Sequence, residues 1–204
     1  MRVISGRFKG MALTTPKPGT RPTTDRTKEA IFSHLDSWGV LDDARVLDLF
    51  AGTGALGVEA LSRGARELVA VESAAPAAAL IAQTLTALKR NRVWEPGMSA
   101  RVIKARAEKY AASASAVAPF DVIFIDPPYA FETEACNQLL ADLAARELTG
   151  DDTVIVLERS TRSDEPTAPE GWDITDRRDY GETAVYYIEP AESAEPAEPV
   201  ESAD

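Results

Sequence analysis

Asp126, Pro127, Pro128 and Tyr129 stand directly behind the apolar run 120–125, and their chemistry suits an exocyclic amine on a nucleobase. The lone pair of such an amine is delocalised into the ring, which makes the nitrogen a poor nucleophile. A carboxylate and a carbonyl that accept its two N–H protons would hold it and free the lone pair along one direction. Asp126 offers the carboxylate and Pro127 the carbonyl. Consecutive prolines fix φ and carry no N–H, so the loop is stiff and presents carbonyl groups. Catalysis by positioning demands such rigidity. Tyr129 adds a flat face for an unstacked base, a contact worth roughly 1–3 kcal/mol in nucleic-acid sites. Taken alone, the same four residues serve equally well to end a strand and turn the chain.

A second segment, 45–57, reads Arg-Val-Leu-Asp-Leu-Phe-Ala-Gly-Thr-Gly-Ala-Leu-Gly. A run of strand formers leads into Gly52, Gly54 and Gly57, and helical spacing resumes at 58–61. Strand, tight turn and helix in that order place backbone N–H groups and a helix N-terminus against a ligand. Glu72 closes the next apolar run, twenty positions after Gly52, where a carboxylate at a strand tip accepts hydrogen bonds from ribose hydroxyls. No basic residue lies in 51–61 to meet phosphate charge, while Asp48 and Asp126 favour a cationic sulfonium. The glycine pattern also fits a nicotinamide or flavin site, so a nucleotide-binding or NAD-dependent protein stays open here. Amino methylation of adenine or cytosine in DNA stays open too, although a chain this short lacks an obvious target-recognition domain for duplex sequence.

The stretches 21–26 (Arg-Pro-Thr-Thr-Asp-Arg), 48–57 and 126–129 resemble those of the RsmD family, in the same order and spacing from Met1 to about Ile188. That resemblance implies an S-adenosylmethionine-dependent enzyme that methylates the N2 amine of one guanine in 16S ribosomal RNA, within the small ribosomal subunit or an assembly intermediate. It implies a Rossmann-like class I methyltransferase fold of the α/β class, with a mostly parallel sheet and an N-terminal β-hairpin arm. Carried onto this chain, the donor falls to Thr24, Asp48, Phe50, Ala51, Gly52, Thr53, Gly54, Glu72, Ala107 and Asp126. The amine falls to Asp126 and the Pro127 carbonyl, with Pro128 stiffening the loop and Tyr129 stacking on the base. Where many methyltransferases place an acid after the third strand, this chain has Ala105, Arg106 and Ala107, so adenine contacts there would come from backbone.

The elements that must position these residues follow from the pattern. Strands are expected near 45–50, 67–72, 101–104, 120–125 and 153–158, alternating with helices near 55–63, 75–90, 107–115 and 132–146. Such alternation makes a parallel sheet with ligands at the carboxyl ends of its strands. Segments 172–177 and 184–188 would close it as an antiparallel hairpin, with one of Tyr186 and Tyr187 facing the core. A small hairpin over 2–14, a proline-rich link and a helix over 27–36 precede the first strand. His34, Cys136 and the three tryptophans read as packing or surface residues.

Composition fits one enzyme domain: 204 residues, 45% hydrophobic, suffice for a full core. One cysteine excludes an internal disulfide, and one histidine leaves no metal cluster, so no metal is expected. No apolar stretch reaches a membrane span and no signal-peptide core opens the chain, so a cytoplasmic location is expected. The net charge of −11 sits oddly with an RNA substrate. Six acids and no base from Glu189 onward leave the body at −5, and the Glu-Pro-Ala repeats mark 189–204 as a disordered acidic tail. By contrast, residues 1–34 hold seven basic residues against two acids, +5 in all. Residues 1–24 thus form a basic hairpin and linker and 25–188 the methyltransferase domain, with Arg7, Lys9, Arg21 and Arg26 as phosphate contacts and Tyr129 as a base contact.

Overall fold

Seven strands form one sheet in the order β3-β2-β1-β4-β5-β7-β6 in the computed structural model, which describes residues 1–14 and 25–192. The elements are α1 (Asp25–Trp38), β1 (Arg45–Leu49), α2 (Ala55–Arg63), β2 (Glu67–Glu72), α3 (Ala75–Lys89) and β3 (Ser99–Lys104). They continue with α4 (Ala107–Ser113), β4 (Val122–Ile125), α5 (Thr133–Ala144), β5 (Val154–Ser160), β6 (Trp172–Tyr180) and β7 (Thr183–Pro190). β1 to β5 are mutually parallel and β7 is antiparallel to β5 and β6. The chain order reverses at β1, which pairs with β2 on one side and β4 on the other. Ligands of open α/β sheets bind outside the carboxyl ends of the strands at such a switch point.

The central strands β1, β2, β4 and β5 are mostly apolar and buried because helices cover both faces, whereas the edge strands β3 and β6 are more polar. Val46, Ala70, Phe124 and Val156 belong to the core under α1 to α3, while Leu47, Val69, Ile123 and Leu157 belong to the core under α4 and α5. Tyr186 and Tyr187 lie in β7, an internal strand, and point to opposite faces, so both are buried rather than one. β7 also runs through Glu189 and Pro190, pairing with Asp173 and Trp172, two residues into the segment assigned to the tail. His34 is wedged against Trp38 and Tyr187, and Cys136 is buried, its thiol pushed up to about 11 by burial.

The N-terminal hairpin has a single bridge, Arg2 to Ala12, and it is docked on the body. Val3, Phe8 and Leu13 are buried. The Glu59 carboxylate on α2 accepts the Ile4 and Ser5 N–H groups, while Ser62 receives those of Arg7 and Phe8. Lys28, counted by composition with the basic arm, is fully buried. Its Nζ donates to the Arg2 carbonyl and lies 3.4 Å from Glu59. Removing one partner of a buried ion pair costs about 3–5 kcal/mol, so this clasp is structural and unavailable to RNA.

Candidate active site

β1 ends in register with its neighbours: Leu49 faces Val71 of β2 and Ile125 of β4. The next residues, Glu72, Phe50 and Asp126, therefore form a row along the carboxyl edge, with strands about 4.8 Å apart. The two motifs that lie far apart in the chain meet there.

The donor side is wired by backbone. Phe50, Gly52 and Gly54 all have positive φ (58°, 56° and 76°), which glycine accepts freely and phenylalanine does not. Glu72 shapes this turn: one carboxylate oxygen accepts the Gly52 N–H at 2.8 Å and the other the Ala74 N–H at 2.7 Å. Asp48, almost fully buried, accepts the Gly57 N–H at 3.0 Å. Gly57 is required for this closeness, since a Cβ there would sit 2.5 Å from Leu68 Cδ1 and 3.0 Å from the Asp48 carboxylate. Burial pushes the Asp48 carboxyl up to about 7; the Gly57 N–H opposes this, and the charges of Asp126 and Glu72 add to it. Three carboxylates thus share one field, and none of the turn residues is a cation. A nucleoside with ribose hydroxyls and a sulfonium fits such a cradle; a pyrophosphate does not.

Thr53 is half-buried, and its hydroxyl lies 3.8 Å from the Met1 sulfur, so the docked N-terminus caps the glycine turn. Ala51 is buried and donates to Val71. Ala107 opens α4, also buried, beyond the end of β3. Arg106 is turned to solvent, 2.6 Å from Glu108, away from the turn. Thr24 and Arg21 lie outside the described residues.

On the acceptor side, Asp126 and Pro127 are half-buried, Pro128 is exposed, and Tyr129 is 63% exposed. The Phe131 N–H donates to the Pro128 carbonyl at 2.8 Å, which closes the turn on Pro128 rather than Pro127. Phe131 also stacks edge-on against Phe50, with centroids 5.1 Å apart, so the two loops touch through a ring pair. Arg159, buried on β5, supports this loop from beneath: it donates to the Phe131 carbonyl at 2.8 Å and to the Thr133 hydroxyl at 3.1 Å. Phe131 and Arg159 escaped the sequence reading. A charged pair, Glu-Arg, at the end of the apolar run Val-Ile-Val-Leu was the available signal.

The proposed phosphate contacts are dispersed. Arg26 is exposed in the first turn of α1, remote from the helix end that leads into β1. Arg7 and Lys9 lie at the opposite, amino end of the sheet, where the Arg7 N–H meets the last turn of α2 and its guanidinium pairs with Glu95 at 2.9 Å. The structure does not bring Arg7 and Lys9 to the carboxyl edge.

Comparison with known proteins is consistent across sequence and structure. The family described as Conserved hypothetical protein 95 matches residues 1–189. Ribosomal RNA small subunit methyltransferase D of Escherichia coli (strain K12) is 32% identical over 185 residues, 90% of this chain and 87% of the relative. The protein of the same name from Haemophilus influenzae is 31% identical over 183 residues, 89% of each. Among solved structures, yhhF from Escherichia coli superposes with a TM-score of 0.79 at 31% identity, covering 93% of this chain and 97% of that one. Magnesium protoporphyrin IX methyltransferase from Synechocystis, solved with bound S-adenosylmethionine, shares the fold alone, at TM-score 0.61 and 14% identity over 85% of this chain and 87% of its own. The fold is therefore that of the class I S-adenosylmethionine-dependent methyltransferases, and the chain belongs to the RsmD family.

Proposed function

We propose that this protein methylates the exocyclic N2 amine of a guanine in 16S ribosomal RNA, using S-adenosylmethionine as donor, on the small ribosomal subunit or an intermediate of its assembly. One observation carries the reading most: β1 and β4 pair in register, so the Asp126 loop opens beside the glycine turn rather than elsewhere on the edge. Asp48, Glu72 and the turn 50–54 hold the donor, with Ala107 against its base. The donor supplies an electrophilic methyl group. Asp126 and the Pro127 carbonyl would accept hydrogen bonds from the two amine N–H groups and aim the nitrogen lone pair at the donor's methyl carbon. The C–N bond would form as the S–C bond breaks and S-adenosylhomocysteine leaves, with the surplus amine proton passing to Asp126 or solvent, so no covalent enzyme intermediate is needed. Tyr129, already outside the core, provides the face on which the extruded guanine rests. Pro128 keeps the loop stiff while the base enters.

The test is chemical identification of the product. The protein is incubated with isotopically labelled donor and small subunits that lack the modification, and the RNA is digested to nucleosides. N2-methylguanosine is the expected labelled species. Label in methyladenosine or methylcytidine would keep the donor site and overturn the base, and an absence of label with active donor and unmodified RNA would overturn the reaction.

A further inference from the structure

The two flanks of the sheet carry opposite charge. Residues 89–109, which span the end of α3, the edge strand β3 and the start of α4, hold seven basic residues against Glu95 and Glu108, a net of +5 in a chain of −11. Residues 159–192, around the opposite edge strand β6, hold four basic residues against nine acids, a net of −5.

Pairing separates the flanks further. Near β6, Arg162 meets Glu182 at 2.8 Å, Arg177 meets Asp179 at 3.1 Å, Arg178 meets Asp176 at 2.8 Å, and Arg159 is spent on the acceptor loop. Near β3 the acids are already engaged: Glu95 with Arg7, Glu108 with Arg106, and Glu67 with Arg45 at 2.7 Å, leaving Arg101 4.0 Å from Glu67. Among the described residues, Lys89, Arg90, Arg92, Lys104 and Lys109 are exposed and in no ion pair. Arg101, on the strand itself, keeps its side chain 61% exposed.

Several of these charges lie close together, and Lys104 continues the flank along the edge strand. Lys89 and Arg101 line one hollow with Trp94 and Met98. Phe8 lies against Trp94 and the Arg7 guanidinium reaches the Met98 sulfur at 3.3 Å, so the hairpin tip with Lys9 joins the same flank. From there β3 climbs about 20 Å to the carboxyl edge, at the rise of an extended strand. Lys104 is its last residue and pairs in register with Glu72 of the donor turn.

We propose that this β3 flank is the track that holds the phosphate backbone of the RNA substrate, leading it from the hairpin tip up to the acceptor loop, while the acidic β6 flank faces away from RNA. The inference rests on the reading of the chain as an RNA methyltransferase. It accounts for the placement of Arg7 and Lys9 far from the chemistry: they begin the track rather than complete the pocket. A polyanion is the partner that such a surface fits, because each phosphate contact releases condensed counterions.

The experiment compares the wild-type enzyme with a variant carrying Arg90→Gln, Arg92→Gln, Arg101→Gln and Lys104→Gln, and with a β6 control carrying Arg162→Gln, Arg177→Gln and Arg178→Gln. Steady-state methylation of unmodified small subunits is measured across a salt series, with S-adenosylhomocysteine affinity measured separately. The β3 variant is expected to raise KM for subunits about tenfold or more, keep kcat and product affinity within about twofold, and lose about three from the slope of log KM against log salt. The β6 control keeps the wild-type KM and slope. Should the fourfold variant fail to fold, the four single substitutions replace it, each expected to lower the slope by about 0.7–0.9. A wild-type slope and KM in the β3 variants would overturn the inference, as would an equal loss in the β6 control or a loss of product affinity. Failure of the wild-type enzyme to methylate subunits at all would instead overturn the underlying reading.

Discussion

The glycine turn after β1 and the proline loop after β4 sit side by side, yet they achieve rigidity by opposite means. The donor turn is held by hydrogen bonds: Glu72 grips Gly52 and Ala74, and Asp48 grips Gly57, with both carboxylates buried. The acceptor loop is held covalently, by two fixed proline φ angles, and is braced by one buried guanidinium at Arg159. On the proposed function, the difference follows from what each must admit. A small cofactor is enclosed and rewards a buried, preorganised cradle, whereas a base swung out of an RNA needs an open face that keeps its shape without being covered.

Breaking the acceptor loop should therefore be the sharpest cut. Asp126→Ala removes the only carboxylate of the Asp-Pro-Pro-Tyr tetrapeptide and should lower methyl transfer by about a thousandfold or more, because oriented acceptors in a preorganised site are worth several kcal/mol. S-adenosylhomocysteine affinity, measured by calorimetry, should stay within about tenfold, since the donor turn keeps its own hydrogen bonds. Unchanged turnover would remove Asp126 from the chemistry. Loss of product binding would show that the two loops are not separable.

The donor turn should respond to pH through Asp48. The Asp48 carboxyl stands at about 7 in the folded chain against an ordinary 3.8, with burial the main cause. A folded-state pKa raised above the unfolded one means that the native state holds its proton more tightly. Ligand-free stability from this group is thus full below about pH 4 and is lost as pH climbs through about 7. The ceiling is roughly 4 kcal/mol, at about 1.4 kcal/mol per pH unit. Asp48→Asn keeps an oxygen for the Gly57 N–H but removes the titration, so its melting temperature should fall less than the wild type's between pH 5 and pH 8. Parallel curves for the two proteins would contradict the buried, proton-holding state of Asp48.

Much of this contrast was legible in the chain. The run 45–57 showed strand, turn and helix because glycine spacing is a local signal, and Asp-Pro-Pro-Tyr showed a stiff loop because proline geometry is local too. Helix and strand positions came within a few residues for the same reason. Pairing across the sheet was not legible. Arg159 supports Phe131 from 28 positions away, and Lys28 meets Glu59 from 31, contacts that only the folded sheet creates. Charge counting put Lys28 and Arg7 together on one basic arm, because composition carries no direction. Tyr186 and Tyr187 misled in a related way: alternation assumes one wet face, and β7 has none.

A milder cut to the acceptor loop separates stacking from proton acceptance. Tyr129→Ala should reduce kcat/KM for small subunits by about 5- to 150-fold, the equivalent of roughly 1–3 kcal/mol of base stacking. Tyr129→Phe keeps the ring and should restore most of that loss. A phenylalanine variant as poor as alanine would assign the role to the phenolic oxygen instead.

The smallest expected effect comes from the tightest point of the donor turn. Gly57→Ala places a methyl 2.5 Å from Leu68 Cδ1, in a fully buried setting, and 3.0 Å from the Asp48 carboxylate. Overpacking of this kind costs about 1–3 kcal/mol. Alanine also favours the helix by about 1 kcal/mol, which offsets part of the cost. The net loss of about 0–2 kcal/mol should lower melting by no more than several degrees in a chain of this size. Product affinity should fall by more than that stability loss explains, because the added methyl pushes on the Asp48 carboxylate that shapes the turn. An alanine variant that melts lower yet binds S-adenosylhomocysteine as the wild type does would show that Gly57 serves packing alone, and that the donor cradle tolerates a displaced Asp48.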